Sequence, residues 1–140
     1  MKKILVAVDG SDASVKGVKA ALALAGPLGA SLTLVSVVPP IMLPGDAPWA
    51  PMDEINHAEQ QRAQRALTES IAALEPSTVK MSTRILLGPI AETLAQLAEA
   101  EGFDLVVVGS TGKGAVKRVL LGSVADRLVH TCTRPVLVVR

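Results

Sequence analysis

The sequence predicts an α/β fold, a single-domain open sheet of five parallel strands with helices on both faces, and three observations predict it. Short apolar segments alternate with longer amphipathic ones in the order β-α-β-α-β-α-β-α-β along 140 residues. Residues 4–8 (ILVAV) and 104–108 (DLVVV) are apolar runs, as strands covered on both faces are. Hydrophobic residues make up 49% of the chain and charged residues 19%, which suffices for the core of one domain over 1–140. Strands alternating with helices pair in parallel through right-handed crossovers.

The first strand, 4–8, ends at Asp9-Gly10. Ser11 or Asp12 can cap the helix that follows, with Val15, Val18, Leu22 and Ala25 on its apolar face. Pro27 and Gly29 mark its end, and Ser31 to Val38 is the second strand. Residues 39–56 hold five of the nine prolines and read as a loop. Residues 53–74 have helical composition, with Ile55, Leu67, Ile71 and Leu74 inward. Val79, Met81, Thr83 and Ile85 alternate with Lys80, Ser82 and Arg84, which suits a strand near a sheet edge with one wet face. Pro89 opens a helix over 90–101, with Ile90, Leu94 and Leu97 inward. After the strand at 104–108 come a glycine-rich stretch, a helix over 123–132, and a last strand, Val136 to Val139.

Composition excludes several functions. A net charge of +1 gives no field for nucleic acid or an anionic membrane. Phe103 and Trp49 are the only aromatic residues, too few for a base-stacking platform. Cys132 is the sole cysteine, so there is no internal disulfide and no multi-cysteine metal site, and it reads as a small apolar filler. His57 and His130 have no partner at metal-ligand spacing. The opening MKKILVAVDGSD reaches Asp9 after five apolar residues, too short a run for a signal peptide or a membrane span. The expected location is the cytoplasm.

The stretch GSTGKGAVKRVLLGS, Gly109 to Ser123, holds four of the eleven glycines and three of the fourteen Lys and Arg residues. It is either a solvated turn or a cradle for an anion. Gly109, Gly112, Gly114 and Gly122 can take positive φ and let backbone N–H groups approach a ligand. Gly122-Ser123 opens a helix, whose free N–H donors and partial positive charge suit phosphate. The Ser123 hydroxyl bonds that phosphate or simply caps the helix. The stretch is not a P-loop, since Ala115-Val116 follow Gly114 where Lys and Ser/Thr are needed, and no GxGxxG occurs. Asp9 ends a buried strand, where a carboxylate is costly unless it caps a helix or bonds a ligand such as a ribose or base.

Together these residues resemble the universal stress protein family over the whole chain, from KKILVAVDGSDAS through GASLTLVSVV and FDLVVVGSTGKG to GSVADRLVHTCTRPVLVVR. The most specific part is the pattern G-x2-G-x9-G-S, met by Gly109, Gly112, Gly122 and Ser123, which in that family marks ATP-binding members. The resemblance implies a sheet ordered 3-2-1-4-5, of the adenine-nucleotide alpha-hydrolase-like type. It implies that Ala7, Val8 and Asp9 line an adenosine, that Val37 flanks the base, and that Val108 and Gly109 lie along adenine and ribose. Gly112, Gly122, Ser123 and Val124 then supply donors to phosphates, on which Mg2+ can sit without protein ligands. Ala125 stands where some ATP-binding members carry Thr or Ser, which leaves room for AMP, ADP or a cyclic nucleotide. The function implied is that of a cytoplasmic, homodimeric, non-enzymatic stress-response regulator that binds ATP and pairs through Val136–Val139. The alternatives are a nucleotide-free dimer and an adenylating enzyme. The chain has no HxGH-type pair and no SGG-type pyrophosphate loop for the latter.

Overall fold

Ile4, Leu5 and Val6 are fully shielded from solvent, so the first strand, β1 (Lys3–Ala7), is covered on both faces. It pairs in parallel with β2 (Ser31–Val38) on one side and β4 (Leu105–Gly109) on the other. β3 (Met81–Leu87) and β5 (Val136–Val139) form the edges, giving the order β3-β2-β1-β4-β5. The computed structural model describes residues 1–41, 51–112 and 121–140. The basic residues Lys113, Lys117 and Arg118, with Gly114 and residues 42–50 of the proline-rich loop, lie outside them.

Alternation along the strands divides the interior in two. Ile4, Val6, Leu32, Leu34 and Val107 face α1 (Asp12–Leu28) and α2 (Met52–Ala72). Leu5, Val35, Val106 and Val108 face α3 (Ile90–Ala100) and α4 (Ser123–Thr131). Right-handed crossovers require this division, because the chain winds from β1 out to β3 and then returns to add β4 and β5 on the other side.

Ser11 caps α1, its Oγ accepting the Ser14 N–H at 3.1 Å. The helix runs through Pro27 rather than stopping there, and ends at Gly29 (φ 64°) with the Ala30 N–H turned back to the Ala25 carbonyl. Proline in the last turn forfeits a single helical bond, and Gly26 has no Cβ to crowd the ring.

Two inward assignments fail. Ile71 is exposed, because Ala63, Ala66, Leu67 and Ser70 form the face of α2 that meets the sheet. Thr83 is also exposed, while Val79, Met81 and Ile85 pack on the α1/α2 core, with Val79 ahead of β3 rather than within it. The loop is shorter than 39–56, since α2 begins at Met52. Cys132 packs against the α3/α4 core.

Asp104 fastens the starts of the two central strands together. Its Oδ2 accepts the backbone N–H groups of Lys2 at 2.7 Å and Lys3 at 3.0 Å, and its own N–H donates to the Lys3 carbonyl at 2.8 Å. Those two N–H donors, Lys2 first, hold its carboxyl below the ordinary value of 3.8. A depressed folded-state pKa contributes stability that is present above the unfolded value and lost as pH falls through the folded one. Asp104→Asn should therefore be less stable than the wild type near neutrality. The difference should shrink as pH falls below 3.8, in urea unfolding measured across that range.

Candidate functional site

The reversal of winding leaves the carboxyl ends of β1 and β4 without a helix crossing them. A cavity of about 630 Å³ lies there. It wraps around the carboxyl ends of the central strands, reaching Val8 and Ala66 on the α1/α2 side and Ala7, Val35, Leu94 and Val108 on the α3/α4 side.

Of the residues singled out in the sequence, Ala7, Val8, Asp9, Val37, Val108, Gly109, Gly112, Ser123 and Val124 line this cavity. Gly122 does not. It is the residue before the first turn of α4, and its N–H donates to the Ser110 carbonyl, so it offers no free donor. Because Gly122 holds that position (φ −67°, ψ 160°), Ser123 belongs to the first turn and is not the cap. Ser123, Val124 and Ala125 border the cavity, and first-turn N–H groups have no partner inside their own helix. The positive end of α4 thus faces the cavity.

Asp9 differs from the expectation of a buried carboxylate: it is exposed. Its Oδ1 accepts the Ser11 N–H at 2.8 Å, bracing the turn that leads into α1. The structure also gives the motif glycines a different reason from positive φ. Positive φ occurs at Gly10, Gly29, Gly88 and Gly102, and not at Gly109, Gly112 or Gly122. A Cβ on Gly109 would stand 2.7 Å from the Ala13 carbonyl carbon and 2.8 Å from its oxygen, inside the backbone of α1. One on Gly122 would meet the Ser110 oxygen and Thr111 Cα at 3.1 Å, and one on Gly112 the Asp9 carboxylate at 3.0 Å. Close approach to backbone, rather than an unusual dihedral, requires glycine at 109 and crowds position 122, whereas at 112 a Cβ meets only the end of the Asp9 side chain.

Sequence reasoning missed the wall that α2 supplies, made of Glu59, Arg62, Ala63 and Ala66. It also missed Ser14, Ser36 and Thr111, together with Ile90 and Leu94 from α3 and Val35, Val38 and Pro39 from β2 and its end. Ser36 carried a local signal, a polar residue in an otherwise apolar inward row of β2. The α2 residues carried none, since Glu59 and Arg62 read as an ordinary solvated face. These two pair at 3.2 Å at the mouth, with the arginine largely in solvent, where an ion pair adds little stability. Among the described residues no three His, Cys, Asp or Glu side chains group to hold a metal, and no helix is long and apolar enough to cross a membrane.

Sheet order and the cavity at the strand ends define the class: a doubly wound α/β protein with a cavity beyond the carboxyl ends of its strands. The family model of the universal stress proteins matches residues 1–140, and the chain belongs to that family. Universal stress protein MJ0531 of Methanocaldococcus jannaschii is 36% identical over 142 residues, covering 99% of this chain and 82% of the relative. Universal stress protein UspA from Lactobacillus plantarum superposes with a TM-score of 0.86 at 28% identity, over 99% of this chain and 97% of that one. A universal stress protein solved in complex with cAMP superposes with a TM-score of 0.64 at 27% identity, over 99% of this chain and 96% of that one.

The glycine contacts rank the cost of substitution. Gly109→Ala should destabilise the protein by about 1–3 kcal/mol, because its clash is with helix backbone that cannot step aside. Gly17→Ala, whose Cβ would find its nearest neighbour at 3.7 Å, should be neutral or stabilising by up to about 1 kcal/mol. Urea denaturation of the two variants checks the order.

Proposed function

We propose that this protein is a cytoplasmic, non-enzymatic stress-response regulator that binds an adenine nucleotide, ATP with Mg2+ in the first place, at the cavity beyond the strand ends. The observation that carries the reading is the first turn of α4, whose N–H groups have no partner within the helix, opening on a mainly apolar cavity of about 630 Å³. The cAMP complex of the related universal stress protein supports an adenine nucleotide as the ligand class. In this reading Ala7, Val8, Asp9, Val37 and Val108 take the adenosine, with Gly109 beside the ribose. Ser123 and Val124, joined by Ala125, donate backbone N–H groups to the phosphates, and Gly112 and Gly122 keep the approach open. Mg2+ rides on phosphate oxygens and offsets their charge. Internal packing explains Gly109, and in part Gly122, without a ligand, and this favours a second reading, a family member with an empty cavity.

Ligand at about 100 times its dissociation constant adds roughly 2.7 kcal/mol, which for a chain of this size is about 5–10 °C in melting temperature. A rise of that order with millimolar ATP and Mg2+, measured by calorimetry, supports nucleotide binding. No rise with ATP, AMP or cAMP leaves the empty-cavity reading.

We also propose a homodimer joined through β5. Val136–Val139 are half-buried at an edge of the sheet, and an unpaired edge invites a second copy about a two-fold axis. The carbonyls of Pro135 and Val139 accept N–H groups of Val106 and Ser110, so the backbone groups of Val136 and Val138 point away from β4. Val138→Pro therefore removes an outward donor while sparing the ladder to β4. A lysine at 138 is a poorer probe, because the Val138 side chain packs on the α3/α4 core. The wild type should sediment as a dimer at tens of micromolar, by order of magnitude, and Val138→Pro as a folded monomer.

A further inference from the structure

The cavity has two chemically different sides. Toward α3 and α4 its wall is apolar, whereas toward α1 and α2 it carries two buried serines, Ser14 and Ser36, at 3% and 5% exposure. Ser36 follows Leu32 and Leu34 on the inward face of β2. Its hydroxyl makes no hydrogen bond to any described residue. Ser14 Oγ accepts the Asp9 N–H at 3.2 Å, and its own proton has no acceptor among the described residues. Across from them α2 presents Ala63 and Ala66, whose small side chains leave the space open. Ser70 gives the contrast: its hydroxyl also lacks a partner, but it is sealed in the core and does not line the cavity.

A hydroxyl on a cavity wall is satisfied by solvent until a ligand displaces it, and the ligand must then supply the hydrogen bond or lose affinity. The charged residues that line the cavity are Asp9, Glu59 and Arg62, and the arginine pairs with Glu59 at 3.2 Å, so among the described residues no unpaired cation lines it for a phosphate. Apolar walls with hydroxyls on one side suit a flat, neutral group with donors and acceptors on its rim. We infer that Ser36, with Ser14 beside it, is a specificity-determining residue that hydrogen-bonds the edge of the ligand's heteroaromatic base in the compartment between β2 and α2. The inference rests on the nucleotide reading above and adds to it the group that selects the base.

Deleting the hydroxyl should leave the free protein's stability undiminished and weaken binding. Titration calorimetry with ATP, deoxy-ATP and inorganic tripolyphosphate tests this on Ser36→Ala, Ser36→Thr and Ser70→Ala. Ser36→Ala should melt no lower than wild type without ligand, yet bind ATP about three- to tenfold more weakly, the worth of a neutral hydrogen bond. The same factor should persist with deoxy-ATP, which lacks the ribose 2′-hydroxyl, and tripolyphosphate binding should not change. Ser36→Thr should retain affinity within about twofold, and Ser70→Ala should bind as wild type. Should Ser36→Ala fail to fold, Ser36→Thr against the isosteric Ser36→Val carries the same comparison. Wild-type ATP affinity in Ser36→Ala overturns the inference and leaves nucleotide binding standing. A loss shared by tripolyphosphate, or one that vanishes with deoxy-ATP, overturns the assignment to the base. Failure of the wild type to bind either ATP or tripolyphosphate removes the nucleotide reading, and the inference with it.

Discussion

The hand of the crossovers constrains everything else in this molecule. A parallel connection in a right-twisted sheet packs back on the sheet in one sense only. Three strands laid outward from β1 therefore place α1 and α2 on one face, and the return to β4 and β5 places α3 and α4 on the other. Between the two directions of winding, the carboxyl ends of β1 and β4 are left without a helix. The cavity is a consequence of topology before it is a consequence of any residue that lines it.

The same topology sets a steric condition at the centre. The start of α1 and the end of β4 leave that gap side by side, and they approach so closely that no Cβ fits at Gly109 against Ala13. The Ser110 carbonyl, just beyond β4, takes the Gly122 N–H and fixes where α4 begins. Asp9 braces the neighbouring turn through Ser11. A pattern of glycines that reads as a phosphate cradle is thus, in the described residues, first a way for three segments of chain to converge. The two uses are compatible, because the convergence is what aims the first turn of α4 into the cavity.

Polarity is distributed unevenly around that space. The α3/α4 side has the apolar wall and the helix start, and the α1/α2 side has buried hydroxyls between β2 and the small residues of α2. A phosphorylated ligand with an apolar-faced, hydrogen-bonding base at its other end matches this polarity along its length, with charge at the helix start and neutral edges at the serines.

The sequence by itself determined the alternation of elements, the burial of β1 and β4 on both faces, and the whole-chain likeness to one family, because these rest on local periodicity and on residues close together in the chain. Val136 to Val139 and Ser31 to Val38 were legible as strands for that reason. Which residues faced which was less legible. Ile71 turned outward because the approach of α2 to β2 selects the row of Ala63, Ala66 and Ser70, and hydrophobicity alone favours the isoleucine. Asp9 proved exposed because the strand ends at the open rim. The α2 wall, the place of the Ser36 hydroxyl on the cavity wall and the close approach at Gly109 came only from the tertiary structure. Each depends on the distance between segments remote in the chain, and no spacing within one segment encodes that distance.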